Sequence, residues 1–385
     1  MKVLLVGEYS GVHANLAKNL IAKGYTVTTV SDGDGYKNFP RDIDLAISEN
    51  RLFKNSIVKN ILYYLGVKGL ISFFKKRNQL DELKGYDIVQ LINPAPITTY
   101  SSIANYMLLR KLKKNNGKFF LCALGDDYYW VKLCLSRKLK YSPLDKCTLL
   151  TFKNYLFSLK YIYGIGYKQL NDYAVSISKK IIPGLTDYKN AYAWSNKVTE
   201  IIGISIDQEQ YLRTKDIYET QSFVRNRNVV NVFHGWQKGK DLRKGNDILD
   251  ATMLSLKERY PDKINYEVVS GLTYDEYIKR FDSADIFLDQ LYSYDRGVNG
   301  ILGMANGKLV VSGFEDSPSI QGLVTQLGIN GTPDQKALFN ALEFIINNQE
   351  IRCQIVKNSM AYILDNHSPD IVVSKYINFW TEQNH

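Results

Sequence analysis

Four short runs carry most of the residues whose types and spacing could do chemistry. The first is Asp295-Arg-Gly-Val-Asn-Gly300, which lies between an apolar stretch (Ile286, Phe287, Leu288) and a helical pattern of Ile301, Leu302, Met304 and Ala305. A helix N-terminus directs free backbone N–H groups outward. Glycine at 297 and 300 removes the Cβ atoms that would keep an anion from the amides of Gly297, Val298, Asn299 and Gly300. The same glycines would also suit a tight turn against a sheet. The second run is the basic loop Lys238-Gly-Lys240-Asp-Leu-Arg243-Lys244-Gly245, which follows the strand pattern 229–233 and His234-Gly235-Trp236. A strand, a basic loop and then a helix is the order phosphate binding needs, with a solvated loop as the alternative. The third is Asp126-Asp127 at the end of an apolar run over 118–124, a pair that could hold a hydroxyl or act as a base. Asp126 could equally cap the helix beginning at Tyr128. The fourth is the turn from Gly7 to Gly11 with His13 after it, where His13 is either a ligand-facing residue or part of the first helix's cap.

The elements that would position these runs alternate along the chain. Strand 2–6, helix 13–24 with Leu16, Leu20 and Ile21 inward, and strand 25–30 make an opening βαβ unit. It is not a dinucleotide fingerprint, because the third glycine and the acid ending the second strand are missing. The loop 31–38, Ser-Asp-Gly-Asp-Gly-Tyr-Lys-Asn, is too short for a calcium loop and lacks its closing Glu. It reads as a ligand-side loop or a plain surface turn. Strand 86–93, a helix over 101–114 and strand 118–124 continue the alternation. After 229 come strand 264–270, helix 274–281, strand 286–288, the glycine-led helix and strand 309–312. Helices over 335–347, 350–365 and 368–380 end the chain, with His367 structural.

With 385 residues the chain is too long for one core. The expected division is a first domain over 1–206, a polar linker over 207–228, a second domain over 229–366, and a last helix over 367–385 packing back on the first. The four cysteines show no paired spacing and the four histidines no cluster, so neither a disulfide framework nor a metal centre is expected. Nor is there a signal-peptide pattern or an apolar run of spanning length, which points to a cytoplasmic protein. The net charge of +10 sits in two windows. Residues 51–78 hold seven Lys/Arg and no acid, and 131–160 hold seven against Asp145 alone. Both windows mix charge with large apolar residues: Phe53, Ile57, Ile61, Leu62, Leu65, Phe73 and Phe74, then Leu149, Phe152, Tyr155, Leu156 and Leu159. That mixture describes a helix lying peripherally on an anionic membrane, or an ordinary helix with a solvated basic face. No nucleic-acid motif accompanies the charge, so no nucleic acid is expected.

The run from Asp295 to Lys308, ending Met304-Ala-Asn-Gly307, resembles the donor-site region of GT-B glycosyltransferases, especially glycosyltransferase family 4. Those enzymes carry two Glu residues separated by seven others. Asp295 stands at the first place and Gly303 at the second, whose Glu holds the nucleotide's ribose in the family. The family's first strand of the second domain ends in Gly-Arg, and a Lys-Gly opens the next helix. Gly235 and Lys244-Gly245 match these, while Trp236 replaces the Arg and Arg243 could supply the missing cation.

This resemblance implies an α/β fold of two Rossmann-like, doubly wound domains facing across a cleft. It implies transfer of a sugar from a nucleotide-sugar donor to a glycan or lipid-linked acceptor, with retention and no bound metal or other cofactor. Arg243 and Lys244 would hold the diphosphate, and the Gly297–Gly300 amides the phosphate or sugar. Asp295, contacting the donor sugar, and His13, at the acceptor side, would be the catalytic residues, with Gly7, Gly11, Asp126 and Asp127 on the acceptor side of the cleft. The basic windows would suit a peripheral enzyme of surface-polysaccharide synthesis. Two other classes stay open: a GT-B protein that binds nucleotide-sugar or a partner without turnover, and a sugar-nucleotide epimerase. The epimerase class relies on cleft carboxylates and a His that are sparse here.

Overall fold

The computed structural model describes residues 1–47, 67–225, 228–236, 239, 241–271 and 274–382. The chain divides into two compact units, the first made of Met1–Lys132, Leu156–Asp207 and Pro369–His385. Its sheet uses β1 (Lys2–Val6), β2 (Thr26–Ser31), β3 (Ile43–Asp44), β4 (Ile88–Leu91), β5 (Lys118–Leu121) and β6 (Ser178–Ile181) in the order β3-β2-β1-β4-β5-β6. All neighbours are parallel. The central strands β1 and β4 are buried runs, apolar apart from Lys2 and Gln90, as expected of a parallel sheet covered on its faces. The order reverses between β1 and β4, and the loop after β1 carries Gly7 to Gly11. One face is closed by Val3, Leu5, Leu16 and Leu20 packing with Val372, Val373, Tyr376 and Trp380 of the last helix, Pro369–Thr381. Trp380 Nε1 donates to Gln90 Oε1 at 3.0 Å, which satisfies both buried groups. Ile21, expected inward, is instead exposed, because Leu16 and Leu20 already fill the inner stripe of that helix.

The second unit comprises Leu133–Tyr155 and Gln208–Ser368. Its strands are β7 (Val230–Gly235), β8 (Ile264–Val269), β9 (Ile286–Leu288), β10 (Leu309–Ser312), β11 (Ser319–Gln321), β12 (Val324–Thr325) and β13 (Ile329–Asn330). They lie in the order β11-β12-β13-β10-β9-β7-β8, parallel from β13 to β8, with antiparallel β11 and β12 added at one edge. The strand order reverses between β7 and β9, so the loops after these two strands flank the crevice where doubly wound sheets take their ligands.

Two boundaries differ from the sequence expectation. Residues Leu133–Tyr155 cluster with the second unit, where Tyr141 joins the core. The polar run expected as a linker contains the helix Gln208–Thr220, and its Ile217 and Tyr218, with Phe223 beyond, pack on the second unit's core. Three apolar side chains among charged ones were enough to dock it.

Candidate functional site

In the second unit, β7 delivers Gly235 and β9 delivers Asp289 to the same end of the sheet. A Cβ on Gly235 would lie 3.3 Å from the Tyr277 hydroxyl, so the chain passes close under that ring. The loop after β7 turns through a short helix, Asp241–Lys244, and the left-handed Gly245 into the helix Asn246–Arg259. Lys238 and Lys240 lie outside the described residues. The Lys244 ammonium reaches Asp289 Oδ1 at 2.7 Å, with the lysine side chain 14% and the carboxylate 2% exposed. Ser312 Oγ donates to the other carboxylate oxygen at 3.3 Å, and the backbone N–H of Asp289 donates to Val311 O at 3.0 Å. Asp289 is thus fixed by the sheet and in turn fixes Lys244.

The helix Val298–Ala305 begins beside this pair. Its cap residue, Gly297, makes no side-chain cap bond, and its first turn holds no acid. The amides of Val298, Asn299 and Gly300 have no protein acceptor among the described residues, as expected for an uncapped first turn. A Cβ on Gly300 would lie 2.8 Å from Arg296 Cβ and 3.5 Å from both Asp289 Oδ2 and Ser312 Oγ. The Arg296 Cβ is what excludes a side chain at 300, while the Asp289 carboxylate lies at ordinary contact distance. Gly297 has open space where its Cβ would be. The Lys244–Asp289 ion pair thus lies beside three N–H groups without a protein acceptor and the positive end of a helix, so a phosphate that drew Lys244 off Asp289 would meet cation and amides together.

The neighbouring positions explain several departures. A Cβ on Gly303 would strike Val310 Cγ2 at 2.8 Å and Phe287 Cδ1 at 2.9 Å. That face of the helix lies on the sheet, so no side chain at 303 can reach a ribose. Asp295 Oδ1 accepts from the Arg296 N–H at 2.8 Å and pairs with the Arg296 guanidinium at 3.2 Å. The side chain expected at the donor sugar thus braces Arg296, which is buried between Phe314 and Tyr362 and pairs with Asp316. Lys244 turns to Asp289, whereas the charge of Arg243 acts on Tyr155, whose phenol burial pushes up to about 12. Trp236, in the place of the family Arg, lies with its ring 5.3 Å from that of His234, tilted by 35°, and donates its indole N–H to Asp241. His234 is fully buried, and burial lowers its pKa. Its Nδ1 lies 2.8 Å from the Tyr266 hydroxyl, which donates to Asp250.

In the first unit the glycine turn follows a different design. Gly7 has φ +85, and a Cβ there would overlap Ile92 and the Pro96 carbonyl at 2.4 Å, so glycine is obligatory. Gly11 has φ +87 and caps the helix Val12–Ala22, against the Phe39 ring. That helix N-terminus is already filled by the protein's own carboxylate: Glu8 Oε2 accepts from the Ala14 N–H at 2.8 Å, and burial raises Glu8 to about 7. His13 is 1% exposed, with Nδ1 2.8 Å from Gly7 O and Nε2 3.9 Å from Cys122 Sγ. Burial holds its pKa down at about 4. His13, expected as a catalytic residue of the acceptor side, has its ring bracing the Gly7 turn from inside the core.

The aspartate pair divides. Asp127, not Asp126, caps the helix Tyr128–Leu135, accepting from the Trp130 N–H at 2.8 Å and from the Tyr192 hydroxyl at 2.6 Å. Burial raises Asp127 to about 7. Asp126 accepts from Ser158 Oγ and acts electrostatically on Tyr9 and Lys160. Asp32 joins them, its Oδ2 held by Thr98 Oγ1 at 2.7 Å and the Thr99 N–H at 2.8 Å. Burial brings Lys160 down to about 8, opposed by Asp126 and Asp32. Tyr9, Asp32 and Lys160 were not singled out from the sequence. Only the turn-rich loop 31–38 pointed there, and pairing of the strands was needed to bring the loops together. Among the described residues no three His, Cys, Asp or Glu side chains gather as a metal site.

No family model and no curated protein sequence matches this chain. Solved structures do match its shape. Sucrose-phosphate synthase from Thermosynechococcus elongatus aligns at TM-score 0.58 and 14% identity, covering 99% of this chain and 98% of that one. HepE from Anabaena, solved in complex with UDP-glucose, aligns at 0.56 and 11%, covering 98% and 99%. A TarM mutant of S. aureus, solved with fondaparinux, alpha-GlcNAc-glycerol and UDP, aligns at 0.58 and 11%, covering 99% and 100%. At these identities the likeness establishes the GT-B fold and does not single out family 4.

Proposed function

We propose that the protein is a glycosyltransferase that moves a sugar from a nucleotide-sugar donor to a glycan or lipid-linked acceptor. The observation that carries this reading is the Lys244–Asp289 pair beside the uncapped first turn of Val298–Ala305, at the strand-order reversal of the second unit. As the sugar departs, negative charge grows on the nucleoside diphosphate. A fixed cation and preorganised N–H groups stabilise that charge more in the transition state than in the ground state. Two neighbours of the same fold were solved with UDP or UDP-glucose, which supports a uridine nucleotide as the donor's carrier. Asp126, with Asp32 and Lys160, offers acceptors and a donor for acceptor hydroxyls. Retention, departure without a metal, a cytoplasmic place and a role in surface-polysaccharide synthesis belong to this reading through the resemblance alone.

The test is a panel of UDP-, GDP-, ADP-, CMP- and TDP-sugars incubated with the protein and simple glycosides, following released nucleotide. One nucleotide-sugar consumed above the blank, and not by Lys244→Ala, supports the reading. Release from none, with tight nucleotide binding retained, would leave a binding protein and no transferase.

A further inference from the structure

The segment Leu133–Tyr155 carries a feature that sugar transfer does not use. Leu149 is 92% and Leu150 94% exposed, and Phe152 beside them is exposed as well. The turn bearing the leucines is well formed. The Thr148 N–H donates to Thr151 Oγ1 at 2.9 Å, the Leu150 N–H to Thr148 Oγ1 at 3.3 Å, and Thr151 Oγ1 to Lys146 O. Both threonine hydroxyls are thus turned onto the segment's own backbone and onto each other, which lowers the polarity of the tip. The segment is also anchored on either side: Tyr141 is 5% and Tyr155 0% exposed, and Lys146 pairs with Asp247 at 2.6 Å. Two leucines held out of the protein on a braced turn lose hydrophobic stabilisation unless something covers them.

The surrounding charge indicates what covers them. Arg137, Lys138 and Lys153 are exposed, and the one acid between 131 and 160, Asp145, spends its oxygens on the Ser142 N–H at 2.9 Å and Ser142 Oγ at 2.7 Å. An apolar tip with the exposed Lys153 three residues beyond it, on a segment whose lone acid is internally bonded, complements a surface that is anionic at the headgroups and apolar just beneath. We propose that the Leu149–Leu150 turn inserts into the headgroup boundary of an anionic lipid bilayer, with Lys153 on the lipid phosphates. This proposal is independent of the donor site and stands or falls separately from sugar transfer. It also revises the expected amphipathic helix over 131–160: the exposed leucines sit on a turn, Tyr155 is core, and the helix Leu156–Tyr163 starts after them. In the first basic window, residues 51–66 lie outside the described residues, Phe73 is buried and Phe74 exposed.

The experiment is co-sedimentation of the full chain with vesicles of phosphatidylcholine alone and with phosphatidylglycerol added. The wild type is expected to sediment with the anionic vesicles and far less with the neutral ones. The double substitution Leu149→Asp, Leu150→Asp is expected to lower partition by at least ~10-fold while melting at the wild-type temperature, since neither side chain packs on the protein. Lys153→Glu is expected to lower it several-fold, and added salt to weaken the wild type's binding. As a second readout, the emission of Leu149→Trp is expected to shift to the blue on anionic vesicles. Unchanged sedimentation of the double variant, or no shift from the tryptophan, would overturn the proposal. So would a wild type that self-associates through the leucines in light scattering and ignores vesicles, since the turn would then meet a second copy.

Discussion

The ammonium of Lys244 lies 2.7 Å from Oδ1 of Asp289, a carboxylate only 2% exposed and held by Ser312 at the end of the second sheet. The relationship joins the loop after β7 to the loop after β9, across the point where the strand order reverses. It therefore decides where the cation stands before any ligand arrives.

Removing the carboxylate should loosen that cation. Asp289→Asn is expected to lower stability by about 2–3 kcal/mol, because a largely buried lysine loses its charged partner. A nucleoside diphosphate should then restore more melting temperature to the variant than it adds to the wild type, which differential scanning calorimetry with and without nucleotide would show. Equal ligand shifts would mean that Lys244 does not meet the phosphates.

The two glycines of the helix start should respond differently. Gly300→Ala forces a methyl to within 2.8 Å of Arg296 Cβ and is expected to cost about 1–3 kcal/mol. Gly297→Ala meets open space and should leave the melting temperature within a degree or two of wild type, yet weaken nucleotide binding by placing a methyl where the ligand sits. Chemical denaturation paired with nucleotide titration separates the two effects. Undiminished nucleotide affinity in Gly297→Ala would place the ligand elsewhere.

Restoring the family's second Glu should fail. At position 303 the Cβ alone overlaps Val310 and Phe287, so Gly303→Glu buries a carboxylate against the sheet and is expected to destabilise by more than ~3 kcal/mol. A stable Gly303→Glu protein with tighter nucleotide binding would show that the helix can rotate this position outward.

Histidine 13 should leave a signature in stability against pH. Its folded pKa of about 4 lies below the ordinary 6.5, so the unfolded chain takes up the proton first as pH falls. The stability held by the neutral ring is complete above 6.5 and is lost on descending towards 4, by up to roughly 3 kcal/mol. Glu8, raised to about 7, works in the opposite direction, so the quantity to measure is the difference between wild type and His13→Gln. That difference should shrink by roughly 3 kcal/mol between pH 7 and pH 4 in urea titrations. A constant difference would mean that the ring binds its proton equally well in the folded and unfolded chains.

The two doubly wound sheets were legible because their strands are short apolar runs separated by helical patterns and glycine turns. Even the uncapped helix at Gly297 could be read from its flanking strands. The division of labour within motifs was not. Adjacent residues in Asp126-Asp127 look equivalent in sequence, but neighbouring side chains point in different directions, and packing sends Asp127 to the frame. Nor does local sequence show that Glu8 occupies the first helix's N-terminus while the helix after Gly297 stays open, since the glycines alone look alike. Asp32 and Lys160 meet Asp126 only through strand order, a long-range property. The exposed leucines at 149 and 150 were hidden within a pattern that also fits a core-facing helix.

The central claim is that Lys244 and the amides after Gly297 bind a diphosphate, and isothermal titration with UDP, GDP, ADP, CMP and TDP tests it most directly. One of them should bind the wild type at micromolar concentration, and Lys244→Ala should weaken it by tenfold or more, at least ~1.4 kcal/mol at the phosphate. Binding of none, or equal binding by wild type and variant, would contradict the account.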